Sequence, residues 1–83
     1  MTTTATKSAV EEIARRGEEI YYRDILPQIE AGNEGRVVAI DVNTGEFEMA
    51  GTGFESAERL RERVPAAVVF FMRVGYPTMA RVL

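Results

Sequence analysis

"RVVAIDVNTGEFEMAG", Arg36 to Gly51, decides the fold. Val38, Ile40 and Val42 alternate with Val37, Ala39 and Asp41, and β-branched residues at this density favour a strand. After Gly45, Phe47 and Met49 alternate with Glu46, Glu48 and Ala50. The joining "NTG", Asn43 to Gly45, suits a three-residue hairpin loop with glycine in the left-handed position. The stretch therefore predicts a β-hairpin with Val38, Ile40, Val42, Phe47 and Met49 on one face and a more polar second face. Asp41 is expected to face that polar side or to support the turn, in preference to serving as an acid of raised pKa. "DVNTGE", Asp41 to Glu46, is not a calcium loop: its glycine falls at the fifth position where the motif needs the sixth, and strands flank it.

Downstream of the hairpin the period changes. Phe54, Ala57, Leu60 and Val64 fall at helical spacing, and Pro65 ends that run. The junction, Gly51-Thr52-Gly53, offers backbone N–H groups near a helix start, where anions bind. The dinucleotide fingerprint, however, needs a third glycine where Ser56 stands, and no phosphate-loop lysine follows. Thr52 and Glu55 have capping-box spacing, so the junction reads as a capped corner. "AAVVFFMRV", Ala66 to Val74, is apolar on both faces, with Val68, Phe70, Met72 and Val74 on one and Ala67, Val69 and Phe71 on the other. Such a strand is covered on both sides. Pro77 is expected to end it.

Upstream lies an amphipathic helix. Ser8 and Glu11 have capping-box spacing, and Val10, Ile13, Gly17, Ile20 and Tyr21 form its apolar stripe. Glu11 with Arg15, Glu12 with Arg16, Glu19 with Arg23 and, on the second helix, Glu55 with Arg59 are expected i,i+4 ion pairs. Gly17 on the stripe is either simply tolerated or marks a close approach by another element. Pro27 should stop or kink the helix at Leu26, with a short continuation to Ala31 before the loop "GNEG", Gly32 to Gly35.

The order is thus α-β-β-α-β, an α+β fold. A right-handed crossover makes the third strand parallel to the second and sets it beside the first, giving a three-stranded sheet of order 2-1-3. Residues 1–7 are expected to be a frayed start and 8–83 a single domain, divided into a helical segment (8–31) and a ββαβ unit (36–76). The crossover helix covers one face of the sheet, so the N-terminal helix or a second subunit must cover the other.

Composition narrows the function. With 83 residues and no cysteine, the chain is one small domain that no disulfide staples, which favours a well-packed core or association with another chain. No apolar run is long enough for a membrane span, and the start lacks the apolar core of a signal peptide, so a cytoplasmic location is expected. Residues 1–56 carry −6 and residues 57–83 carry +3 within a net charge of −3. Arg59, Arg61, Arg63, Arg73 and Arg81 could gather into a basic patch, but without stacking aromatics they read as solvated charges, and nucleic acid is not an expected partner. Histidine and cysteine are absent, Lys7 is the only lysine, and Ser8 and Ser56 sit at predicted helix starts where capping explains them. No nucleophile–base set can be assembled, so an enzyme, a metal site and a cofactor are not expected. The expected role is an interaction module that self-associates or binds another protein. Ile13, Ile20, Tyr21, Val69, Phe71 and Tyr76 are the candidate interface residues, with Tyr21, Tyr22 and Tyr76 a candidate aromatic surface.

Two segments, "GEEIYYRDILPQIEAGNEGRVVAIDVNTGEFEM" (Gly17 to Met49) and "ERLRERVPAAVVFFMRVGYP" (Glu58 to Pro77), resemble a family of small bacterial and cyanobacterial proteins of no established biochemical role. That family shares a "G-[KR]-x-V-A-I-D-V-x-T-G" hairpin and a closing "R-x-G-Y". The resemblance implies a gene context: such proteins are often encoded beside a retropepsin-like aspartic protease, in pairs that look like two-gene modules or toxin–antitoxin cassettes. It therefore adds a co-encoded protein as a partner and an antitoxin-like regulator as the alternative role. This chain departs from the pattern at "AGTG", Ala50 to Gly53, and at "TMARVL", Thr78 to Leu83.

Overall fold

The computed structural model describes residues 7–29 and 31–82, and the side chains of 9–29 and 31–76. The expected Ser8 cap and the frayed start lie outside the described residues or side chains. The chain opens with helix α1 (Lys7–Ile20). Pro27 does not stop it outright. A π-helical turn (Tyr21–Ile25) is closed by the Leu26 N–H donating to the Tyr21 carbonyl, and a 3-10 turn (Leu26–Gln28) follows. Proline lacks the N–H that would continue the regular ladder. Widening by one residue keeps both Tyr21 and Ile25 in the core, at 2% and 1% exposure.

The hairpin is β1 (Val37–Asp41) and β2 (Phe47–Ala50), antiparallel, with Val38 opposite Met49 and Ile40 opposite Phe47. Five residues, Val42 to Glu46, join the two strands, two more than the three expected. The Gly45 N–H donates to the Asp41 carbonyl at 2.8 Å, with Gly45 at φ +84°. Val42 joins the loop because its own N–H donates to the Val68 carbonyl instead. The buried Asp41 carboxylate organises the turn. It accepts from the Thr44 hydroxyl (2.7 Å), the Asn43 N–H (3.2 Å) and, across the sheet, the Val68 N–H (3.1 Å).

Helix α2 (Gly53–Arg63) crosses over to β3 (Val69–Arg73), which lies antiparallel to β1, with Val38 opposite Met72 and Ile40 opposite Phe70. The predicted α+β order, β2-β1-β3, is therefore present. A fourth strand, β4 (Tyr76–Val82), extends it. The third strand ends at Arg73, not at Pro77. Gly75 takes φ +83° and turns the chain so that Tyr76 pairs with Arg73. Proline is tolerated in β4 because that strand is an edge of the sheet.

Both faces of the sheet are covered from within the chain. On one, Val38, Ile40, Val42, Phe70, Met72 and Val74 pack with Ile20, Tyr21 and Ile25, joined by Ile13, Phe47 and Met49. On the other, Ala39 and Val69 pack with Ala57 and Leu60 of α2. The face assignments read from the hairpin and from β3 both hold, and α1 provides the second cover. Gly17 is the point of closest approach. A Cβ there would lie 2.1 Å from Cδ2 of the Phe70 ring, so the close-approach reading is the correct one.

Candidate functional site

The two helices are staggered over the sheet. α1 lies over β3 and β4 on one face, and α2 lies over β1 and β2 on the other. Past Val69, the α2 face of β3 therefore extends beyond the helix that covers its start. A groove of about 940 Å³ runs along this step, with Val37, Ala57 and Phe71 forming its apolar floor. Phe54, in the first turn of α2, stands at its lip and is 76% exposed. Glu58, Arg61 and Glu62 from α2 and Arg73 from β3 form the rim.

Local chemistry fixes α2 in place. Thr52 caps it, its hydroxyl oxygen accepting from the Glu55 N–H at 3.1 Å. The Glu55 carboxylate accepts from the same hydroxyl at 3.3 Å, so the helix N-terminus already has its own anion close by. Gly51 and Gly53 take ordinary backbone angles. The Gly-Thr-Gly junction is a capped corner, as read. Ser56 is not a cap. It is buried in the first turn and donates to the Gly53 carbonyl. The far side of α2 is tied to β2. Arg63 donates to Glu46 (2.5 Å), Glu48 (2.8 Å) and the Phe47 carbonyl (2.9 Å), and Arg59 donates to the Met49 carbonyl (3.3 Å). The Glu46 and Glu48 carboxylates raise the Arg63 pKa further above its ordinary value. These arginines occupy outward carbonyls of an edge strand, which guards it against pairing with another chain. Arg59 is thus drawn to β2 and not to Glu55.

A smaller cleft of about 250 Å³ lies at the end of the sheet, lined by Tyr21, Tyr22, Leu26, Arg73, Gly75 and Tyr76. The three tyrosines predicted as an aromatic surface do meet here. Tyr21 and Tyr22 stack edge to face at 5.0 Å, and the Arg73 guanidinium stands 5.8 Å from the Tyr76 ring centroid. Tyr22 is 45% exposed and Tyr76 51%. Burial, and then Tyr22 beside it, push the Tyr21 hydroxyl pKa up. Arg73 lines both the groove and the cleft, so the two form adjoining parts of one surface.

The six predicted interface residues separate. Ile20, Tyr21 and Val69 are buried in the chain's own cores, and Ile13 packs against the α1 core, so their apolar surface is used within the fold. Phe71 and Tyr76 border the groove and the cleft. The predicted basic patch is divided. Arg59 and Arg63 serve β2, Arg61 and Arg73 edge the groove, and the Arg81 side chain lies outside those described. Phe54, the most exposed large apolar residue described, stands off the buried stripe of Ala57 and Leu60 with which its spacing groups it. The angle contained the signal: at about 100° per residue, Phe54 lies roughly 120° around the helix from Leu60. Among the described residues no group of acids could hold a metal ion, and no helix is long and apolar enough to cross a membrane. Comparison with known proteins gives no match to a family model, a curated protein or a solved structure.

Proposed function

We propose that this protein is a non-enzymatic interaction module that docks another polypeptide in the groove between α2 and β3. The observation that carries the reading is Phe54, 76% exposed at the lip of an apolar groove. A phenylalanine left in water beside an unfilled apolar floor is the arrangement of an interface anchor, where a few aromatic residues supply most of the binding energy. The sequence resemblance supplies one candidate partner, a co-encoded protein, and self-association supplies the other. The antitoxin-like role would use the same surface on a co-encoded target.

Phe54→Ser tests the proposal, because a residue this exposed can be changed with little effect on the fold. Sedimentation of the chain alone, and co-purification with the neighbouring gene product, should show association weakened by about tenfold or more, as for an interface hot spot. The variant's circular dichroism spectrum should match the parent's, while any fall in the thermal midpoint should reflect only the lost association. Association by neither route in the unsubstituted protein, or equal association by the variant, would refute it.

A further inference from the structure

The rim of the groove selects its occupant. Phe54, Glu58, Arg61 and Glu62 follow one another along α2 on its groove side, with Arg73 facing them from β3. Two acids and two guanidiniums leave this rim with no net charge. Arg15, Arg16, Arg23 and Arg63 each hold a carboxylate of the same chain, whereas the rim charges, like Glu11, Glu18, Glu34 and Arg36, form no ion pair among the described residues. A strongly acidic or strongly basic partner would meet as much repulsion as attraction on such a rim. A second copy brings the same two acids and two bases, and a two-fold axis lets the carboxylates of one rim face the guanidiniums of the other. The contact is then self-complementary, as an isologous interface must be.

Resting on the groove as the working surface, we infer that its occupant is a second copy of this chain, docked about a two-fold axis with Phe54 of each copy in the groove of the other. The floor of Val37, Ala57 and Phe71 receives the ring, and Glu58 and Glu62 pair with Arg61 and Arg73 across the axis. The protein is a homodimer built through α2, while the Arg59 and Arg63 contacts keep the β2 edge out of the assembly.

The test uses opposite charge changes on the rim. Arg61→Glu makes it acidic, and the double variant Glu58→Arg/Glu62→Arg makes it basic; all three positions are exposed, and circular dichroism confirms the fold of each variant. In sedimentation equilibrium the unsubstituted chain should show twice its 9.2 kDa mass. Each variant alone should dissociate at least tenfold more readily, and an equimolar mixture of the two should recover the dimer. An unsubstituted chain that stays monomeric up to about 1 mM, a concentration that would reveal even very weak association, overturns the inference. So do variants that self-associate as well as the parent. If the chain is monomeric but Phe54→Ser still abolishes binding of the co-encoded protein, the groove stands as a docking surface and only its occupant is wrong. If Phe54→Ser changes neither assay, the groove itself is not the working surface.

Discussion

Gly17→Ala sets two effects of known sign against each other. Helix propensity alone favours alanine by about 1 kcal/mol at a helix interior position. Packing opposes it. The new methyl carbon would lie 2.1 Å from Cδ2, 2.4 Å from Cγ and 2.9 Å from Cβ of Phe70, whereas carbon atoms rest at about 3.5–4.0 Å. Rotating the ring relieves the first contact but not the last, because Cβ is fixed to the β3 backbone. Phe70 has no exposed surface and is enclosed by the α1-side core, so α1 must lift or β3 must bend. Overpacking of this kind costs about 1–3 kcal/mol, and a clash reaching the strand's own Cβ belongs at the upper end. The net expectation is a destabilisation of about 2 kcal/mol, or a melting temperature lower by roughly 10 °C for a domain of this size.

Urea unfolding followed by far-ultraviolet circular dichroism measures the change, and Phe70→Leu identifies its cause. Leucine lacks the ring and can swing its branched end away from α1. The alanine should therefore cost less in the Phe70→Leu background, with a coupling of about 1–3 kcal/mol between the two sites. A Gly17→Ala variant more stable than the parent would refute the packing argument. An equal cost in both backgrounds would show that Phe70 is not the obstacle.

Two further expectations concern carboxylates. Asp41→Ala removes the acceptor shared by the Asn43 N–H, the Thr44 hydroxyl and the Val68 N–H; unpaired donors cost about 1–3 kcal/mol each when buried. The same unfolding assay should show a loss in that range, smaller for Asp41→Asn, whose amide oxygen can still accept; equal losses would deny the carboxylate its bridging role. The Glu12 carboxyl should titrate at about 2, because hydrogen bonds from Arg15 and then Arg16 hold it down. A depressed folded-state pKa means that its contribution to stability is complete above the ordinary value of 4.5 and is lost as pH falls toward 2. Carbon-detected NMR titration reads the midpoint, which Arg15→Gln/Arg16→Gln should return to the ordinary carboxylate range. A midpoint already there in the parent would show that the pairs do not persist in solution.

What the sequence discloses is whatever repeats along one element. The two-residue period of the hairpin and of "AAVVFFMRV" assigns Val38, Ile40, Phe70 and Met72 to one face and Ala39, Val69 and Phe71 to the other, as observed, because alternation is a property of the strand itself. The failures fall where one element answers to another. Arg59 has Glu55 at i,i+4 spacing, yet it donates to the Met49 carbonyl of β2, and Arg63, with no acid three or four positions away, reaches Glu46, Phe47 and Glu48 fifteen to seventeen positions back. Pro77 reads as a stop, and in a central strand it would be one. It is tolerated because β4 has a free side. At Pro27 the sequence leaves a stop or a kink with a short continuation open, and the continuation forms, as a π turn that keeps Tyr21 and Ile25 buried and a 3-10 turn after it. The groove has the same origin. Apolarity marks Ile20, Tyr21 and Val69 as surface that must be covered, and a local pattern cannot say by which element. The answer lies in the offset of α1 and α2 across the sheet. Because the two helices cover different strand pairs, both cores are enclosed within the chain, and the large apolar residues left exposed among those described are Phe54 at the step beside α2 and Tyr22, Leu26 and Tyr76 at the adjoining cleft.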